Sequence, residues 1–346
     1  MPSKSELLGR SCRLTIFCFT VASILDNVHW ARQPRSYDVG EFWAGVGSVA
    51  RSATAQGLQA FTVEKEDAEG QQQDLLTETG FLLGVERVMQ LKPGGLLVMG
   101  PVCSSWVFAN TANTGRTRHN WAGNSDYEPV ATGNLTAQIA CFFLYLCVAR
   151  EVHAVIENPA GSMLFSYLRP HLAPLRFLST VCTPRCAFSS EALGLRFLKK
   201  FKFLATGTWV QSMARECPCQ GLGHAPLMSV DAQGRRTGIA AAMRQSQAYP
   251  VQLGAAMIHA WQAAGSSHSF GEILDSMPAA QPSRSLGFRA CGFQVEIIHA
   301  SLRFGFPTFL KPDSQAQPRR VPGSRSPQQQ WERRGSGAGD CCGSRS

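Results

Sequence analysis

The chain has 346 residues, 44% of them hydrophobic and 16% charged. That is enough apolar material to bury a sizeable core in one large domain or two modest ones, and it excludes a wholly disordered chain. Uninterrupted apolar runs fall short of the ~18 residues of a membrane span, so no membrane partner is expected, and no repeat of about 20–50 residues marks a solenoid. Lysine and arginine outnumber the acids 33 to 24. The excess is spread along the chain; it suits a polyanionic partner such as nucleic acid and serves solubility equally well.

In chain order, residues 1–36 carry Lys4, Arg10 and Arg13 ahead of the apolar run 14–25. This has the length of a signal-peptide core, but Glu6, Cys12 and Cys18 weaken that reading. A packed helix or an organelle address is preferred, and the expected location is intracellular, in the nucleus or an organelle. The 12 cysteines, several inside apolar segments, read as reduced thiols.

Between residues 37 and 265, strand-like and helix-like stretches alternate. YDVGEFWAG (37–45) is a strand ending in glycines, SVARSATAQG (48–57) a helix closed by Gly57, and LQAFTVEKE (58–66) a strand ending in acids. FLLGVERVMQL (81–91) reads as a helix stopped by Lys92-Pro93-Gly94-Gly95, and LLVMGPVC (96–103) as a strand opening into a loop. LTAQIACFFLYLCVARE (135–151) is a long apolar helix and HAVIENPAG (153–161) a strand with its loop. Strands separated by helices of this length imply a parallel sheet with helices on both faces, with ligands at the carboxyl ends of its strands. RCAFSSEALGLRFLKKFKFLATG (185–207) reads as a strand pair, and residues 208–243 as a small separate region. After residue 266 the composition shifts to Pro, Gln, Ser, Gly and Arg, so 266–346 reads as a mostly disordered tail, with a short packed element around 292–310.

Four strand-end motifs carry chemistry. In FWAGVGSVA (42–50), Gly45 and Gly47 permit a tight turn close to a cofactor, although a ligand-free turn would look the same. Glu64 ends the next strand, where an acid can accept hydrogen bonds from both ribose hydroxyls of an adenosine-containing cofactor. Glu66 and Asp67 compete for that role, a solvated loop is the plain alternative, and Asp74 is placed to meet an adenine amino group. Cys103, in GPVCSSWVF (100–108), is the most loop-like of the cysteines and a candidate nucleophile. Glu157, in IENPAGS (156–162), is a candidate acid beside Asn158 and the stiffening Pro159.

In this order the four motifs resemble the cytosine carbon-5 methyltransferase family, over roughly 37–265. The matching residues are Phe42, Gly45 and Gly47 in the glycine turn, Pro101 and Cys103 in the Pro–Cys loop, and Glu157-Asn158-Pro159. RQSQAYPVQLGAAMIHAW (244–261), with a helix starting at Tyr249-Pro250, is similar to the family's closing segment.

The resemblance implies an α/β fold: a Rossmann-like class I methyltransferase sheet over 37–207, a small recognition insert at 208–243 and a closing helix at 244–265. It implies S-adenosyl-L-methionine as cofactor, bound by Phe42, Gly45, Gly47, Glu64, Asp74 and Pro101, and nucleic acid as partner, DNA favoured over RNA. Cys103 would add to carbon 6 of cytosine, Glu157 would bond ring nitrogen 3, and Asn158 would orient the loop. The target base would have to leave its stack.

The chain departs from the family in two places. Val102 separates Pro101 from Cys103, which is read as replacing the second proline of a Pro-Pro-Cys turn. The family's Gln-x-Arg-x-Arg segment is not intact; Arg196, Lys199, Lys200 and Lys202 could supply the cations for nucleic acid, or LKKFKF could be an edge strand guarded by lysines. CPCQGLGH places Cys217, Cys219 and His224 where zinc could bind with Cys182 or Cys186, but the spacing is not C-x2-C, and no metal is assigned. The alternative to an active enzyme is a silent relative that binds nucleic acid or a protein partner.

Overall fold

A computed structural model of the chain describes residues 34–265 apart from 68, 189–195, 198, 221–222 and 235. The N-terminal apolar run and the expected disordered tail with its 292–310 element lie outside the described residues.

Six strands form one mixed sheet in the order β2-β1-β3-β4-β6-β5. They are β1 (Tyr37–Phe42), β2 (Ala60–Val63), β3 (Leu91–Met99), β4 (His153–Pro159), β5 (Leu178–Pro184) and β6 (Lys200–Thr206). β1 pairs in parallel with β2 and β3, and β3 with β4. β6 alone runs antiparallel, between β4 and β5. Helices cover both faces, so the fold is the Rossmann-like α/β arrangement that the alternating pattern implies.

One face carries α1 (Ser48–Ala55) and α7 (Val251–Gly265), whose Val49, Ala53, Leu253 and Met257 bury against Val39, Leu96 and Val98. The other face carries α2 (Glu78–Met89), α4 (Glu128–Ala149) and α5 (Leu164–Leu172), with α3 (Thr111–Thr114) in the connection before α4. Their aromatic residues meet those of the sheet: Phe42 and Phe143 stack edge to face at 4.8 Å, and Phe81 lies 5.5 Å from Phe143. Such pairs add about 0.5–1.5 kcal/mol beyond the area they bury.

Local chemistry accounts for the helix ends. Thr77 caps α2 by accepting from Gly80 N at 3.1 Å, with Glu78 in the first turn and Arg87 in the last. The second half of α4, residues 139–148, is apolar all round because every one of these residues is buried, between the sheet and the neighbouring helices. By length and composition the whole helix could cross a membrane, but 72% of its most apolar window is buried inside the protein.

Three expectations are corrected. The strand pair read within 185–207 is β5, ending at Pro184, and β6, starting at Lys200. LKKFKF is no edge strand: β6 lies inside the sheet, so Phe201 and Phe203 bury while Lys200 stays exposed. The closing helix is two, α6 (Ala240–Gln247) and α7, separated by Ala248-Tyr249-Pro250, because Pro250 has no N–H to continue the first. The insert contains a small hairpin, β7 (Met228–Val230) with β8 (Arg236–Gly238).

Candidate active site

The glycine turn, the Cys103 loop and the ends of β2 and β4 all lie at the carboxyl edge of the parallel strands. Gly45 and Gly47 both have positive φ, 55° and 64°, a conformation L side chains rarely adopt, so the turn from β1 into α1 requires them. Trp43, also at positive φ (51°), is the half-buried aromatic of this rim. Phe42, expected to contact cofactor, is instead wholly buried against Phe143 and offers no surface to a ligand. Side chains alternate along a strand, so the core claims Phe42 and its neighbour reaches the rim.

The helix that follows is capped from behind. Glu41 Oε2 accepts from Val49 N at 3.0 Å and Ala50 N at 2.8 Å, and Oε1 is buried with no partner among the described residues. Burial raises this carboxyl to about 7, against the lowering pull of the two N–H groups. A dinucleotide's pyrophosphate binds at the N-terminus of such a helix. Here a carboxylate already occupies those donors and would repel a phosphate. Those two N–H groups are therefore not available to a phosphate. Sequence reading missed Glu41, although an acid directly before a glycine turn was the available signal.

Glu64 faces the same turn, with Oε2 accepting from Gly45 N at 2.6 Å and Oε1 from Lys65 N at 2.9 Å. Asp74 lies later in the same connection, where Oδ1 accepts from Leu76 N at 3.0 Å in the turn that opens α2. Asp67, a competitor of Glu64, is taken up by Glu69 N, Gln71 N and the Gln73 amide.

The second cluster is built on β4. Glu157 is buried; its Oε2 accepts a short hydrogen bond from the Tyr249 hydroxyl, and its Oε1 has no partner among the described residues. Burial raises Glu157 to about 7, while the Tyr249 bond and the charge of Lys199 pull it down. Tyr249, in the break between α6 and α7, packs edge-on to Phe201 at 5.6 Å. Gly100 makes room for it: a Cβ there would lie 2.8 Å from the Tyr249 hydroxyl. Asn158 Nδ2 donates to Pro101 O at 2.8 Å, holding the start of the Cys103 loop against β4.

Cys103 is half-buried, and Val102 is exposed. Burial raises the thiol above its ordinary range; Lys199 pulls it down and Glu157 pushes it up. Lys199, expected to hold nucleic acid, thus sits within electrostatic reach of both reactive groups, with its ammonium donating to Ser246 O at 3.0 Å. Lys202 lies farther along β6, over the Phe165 ring at 4.9 Å. Arg196 belongs to the segment before β6, where its carbonyl accepts from Ala225 N at 2.7 Å.

A residue absent from the sequence reading fixes the far side of the Cys103 loop. Arg116 is fully buried and donates to Ser105 O (2.8 Å), Trp121 O (2.6 Å) and Asn134 Oδ1 (2.9 Å), with its guanidinium 3.4 Å from the Trp106 ring. The Trp106 N–H closes the turn onto Cys103 O at 2.9 Å. No sequence signal marks Arg116, because its partners are mostly carbonyls.

Compared with known protein families, the sequence matches none, and no curated protein matches it. Among solved structures, the crystal structure of the S. pombe Dnmt2 methyltransferase aligns at 14% identity with a TM-score of 0.27, covering 49% of this chain and 49% of that one. The chain thus spans about half the length of that structure, a likeness too remote to bear on activity or substrate.

Proposed function

We propose that the chain is an S-adenosylmethionine-dependent methyltransferase acting on carbon 5 of cytosine in nucleic acid through a covalent cysteine adduct. The observation that carries this reading is the meeting of three distant segments at one strand edge. A loop thiol at Cys103, a buried carboxyl at Glu157 with one unpartnered oxygen, and a tyrosine holding the other oxygen come together beside the glycine turn. DNA is favoured over RNA on the family resemblance alone.

Each group has a task that its environment fits. Cys103, as thiolate, adds through Sγ to carbon 6, and the electron pair displaced from the 5,6 double bond moves to carbon 5. Glu157, kept protonated toward neutral pH by burial, donates to ring nitrogen 3 and supports the charge that develops there. Asn158 and Arg116 hold the loop from either side, so the thiol approaches the base in a fixed direction. Gly45, Gly47, Trp43 and Glu64 would hold the cofactor, which supplies the methyl group that carbon 5 takes. Loss of the carbon-5 proton to solvent restores the double bond and expels the Cys103 thiolate. Lys199 favours the thiolate at the beginning and end of the cycle.

The test is covalent trapping on oligonucleotides carrying 5-fluorocytosine, in which fluorine blocks the last step. An adduct that survives denaturation and vanishes in Cys103→Ala is the expected result; parallel DNA and RNA oligonucleotides decide the polymer. One observation favours the second reading, a silent binding protein: the thiol is pushed up, so little thiolate exists at neutral pH. No adduct on either polymer, with cofactor binding confirmed, would overturn the covalent mechanism and leave the silent binding protein or a methyltransferase with another acceptor.

A further inference from the structure

The small region between β6 and α6 has little to hold it in place. Among the described residues of 214–227, only Cys219 is buried, so hydrophobic burial cannot fix this loop against the sheet. Yet Gln220, directly after Cys219, is held in the left-handed region (φ 36°). That conformation is unfavourable for a residue with a Cβ and requires a compensating contact.

Four ligand-type side chains meet there. Cys186 lies in the 3-10 turn Arg185–Phe188 that follows β5, while Cys217, Cys219 and His224 come from the loop. Cys186 Sγ is 3.4 Å from Cys217 Sγ, and Cys217 Sγ is 3.4 Å from His224 Nε2. The four ligand atoms all lie within 4.8 Å of one another. Zinc bonds of about 2.3 Å to sulfur and 2.0–2.1 Å to nitrogen give tetrahedral edges of about 3.8 Å (S–S) and 3.6 Å (S–N). The two 3.4 Å separations are slightly shorter than those edges, and no pair of the four ligand atoms is more than 4.8 Å apart. The backbone N–H of Cys219 is also directed at the Cys217 sulfur, as outer hydrogen bonds orient metal thiolates. Cys182, the other cysteine weighed from the sequence, is exposed on β5 and outside the group.

We infer that Cys186, Cys217, Cys219 and His224 form a structural zinc site that clasps the insert to the end of β5. The convergence favours a metal over a Cys186–Cys217 disulfide, which would leave the third thiol and the imidazole without a reason to be there. Four protein ligands close the coordination sphere, so the ion would stabilise rather than catalyse. Three ligands lie within eight residues as C-x-C-x4-H, and of the two cysteines weighed as the fourth from the sequence, the structure brings Cys186 to them. The inference does not depend on the methyltransferase reading.

The test uses the full chain, exposed to zinc under reducing conditions, freed of loose metal by gel filtration and analysed by plasma mass spectrometry. One zinc ion per chain is expected. It should fall to background in Cys217→Ser and His224→Ala, and remain in Cys182→Ser and Cys103→Ala. Because a ligand variant can fail to fold, cobalt titration of the unmodified chain is the companion measurement; thiolate-to-cobalt charge transfer with intense tetrahedral visible bands is expected. His224→Cys should retain the metal and move those bands. A chain without stoichiometric zinc, zinc retained by the ligand variants, or a metal-free Cys186–Cys217 disulfide that persists under reducing conditions would each overturn the inference.

Discussion

The turn at β1 and β2 and the cluster at β3 and β4 face the same edge of the sheet but are built in opposite ways. The first is local: Gly45, Gly47 and Glu64 lie within twenty residues, and Glu64 bonds two backbone N–H groups at the surface. The second gathers Cys103, Glu157, Lys199 and Tyr249 from four separate segments and buries its carboxyl. An exposed site assembled from backbone tolerates the loss of one side chain. A buried one does not, because each group sets the charge state of the next.

Substitutions should separate the two regions, and the sharpest is Cys103→Ala. It should lower methyl transfer by at least about 10³-fold and abolish the trapped adduct, while calorimetry finds cofactor affinity unchanged. Methyl transfer surviving this change would detach Cys103 from the chemistry and dissolve the contrast.

The next effect is on stability. Arg116→Ala leaves the carbonyls of Ser105 and Trp121 without their buried donor and should cost about 3–5 kcal/mol in denaturant unfolding. Arg116→Lys should recover little, since an ammonium cannot reproduce the planar fork or its stacking on Trp106.

The buried cluster also predicts a pH profile. The proposed reaction requires Glu157 protonated and Cys103 ionised, yet burial raises Glu157 to about 7 and lifts the thiol above its ordinary range. The productive form is therefore a minor one. The rate should rise with pH to about 7, level off as Glu157 ionises, and fall only above the thiol's range. Glu157→Gln should lower the rate by about 10²-fold and erase the bend near 7, leaving a rise that follows the thiolate alone. Tyr249→Phe removes a bond that pulls Glu157 down, so its bend should move to higher pH. A wild-type profile with no bend near 7 would contradict the buried-acid role.

The smallest effect belongs to the exposed region. Glu64→Ala should weaken S-adenosylmethionine binding by about 10-fold, the value of one charge-assisted hydrogen bond, with kcat nearly unchanged at saturating cofactor. A loss as large as that of Glu157→Gln would place Glu64 within the chemistry.

Legibility follows the same division. The β1 turn, the strand ending at Glu64 and the long helix, read at 135–151 and observed at Glu128–Ala149, could be read because glycine, strand-end acids and apolar runs act over a few residues. Even there Phe42, expected to contact cofactor, is wholly buried while Trp43 is half-buried, since alternation does not say which neighbour the core will take. β6 looked like an edge because its lysines alternate with phenylalanines, and strand order is not written in any single strand. Arg116 had no sequence signal, while the pairing of Tyr249 with Glu157 and the choice of Cys186 over Cys182 could not be read because those partners lie 92 and 31 residues apart.

By itself the sequence determined the α/β alternation, the tight turn at Gly45 and Gly47, and the placing of Cys103 and Glu157 at strand ends, because backbone conformation and side-chain periodicity are properties of short segments. Only the tertiary structure decided that Glu41 caps the N–H groups of Val49 and Ala50, that Lys199 lies within electrostatic reach of Cys103 and Glu157, and that burial raises Glu157 to about 7. Those properties are electrostatic, and electrostatics depends on what surrounds a group in space and on how much water that packing excludes.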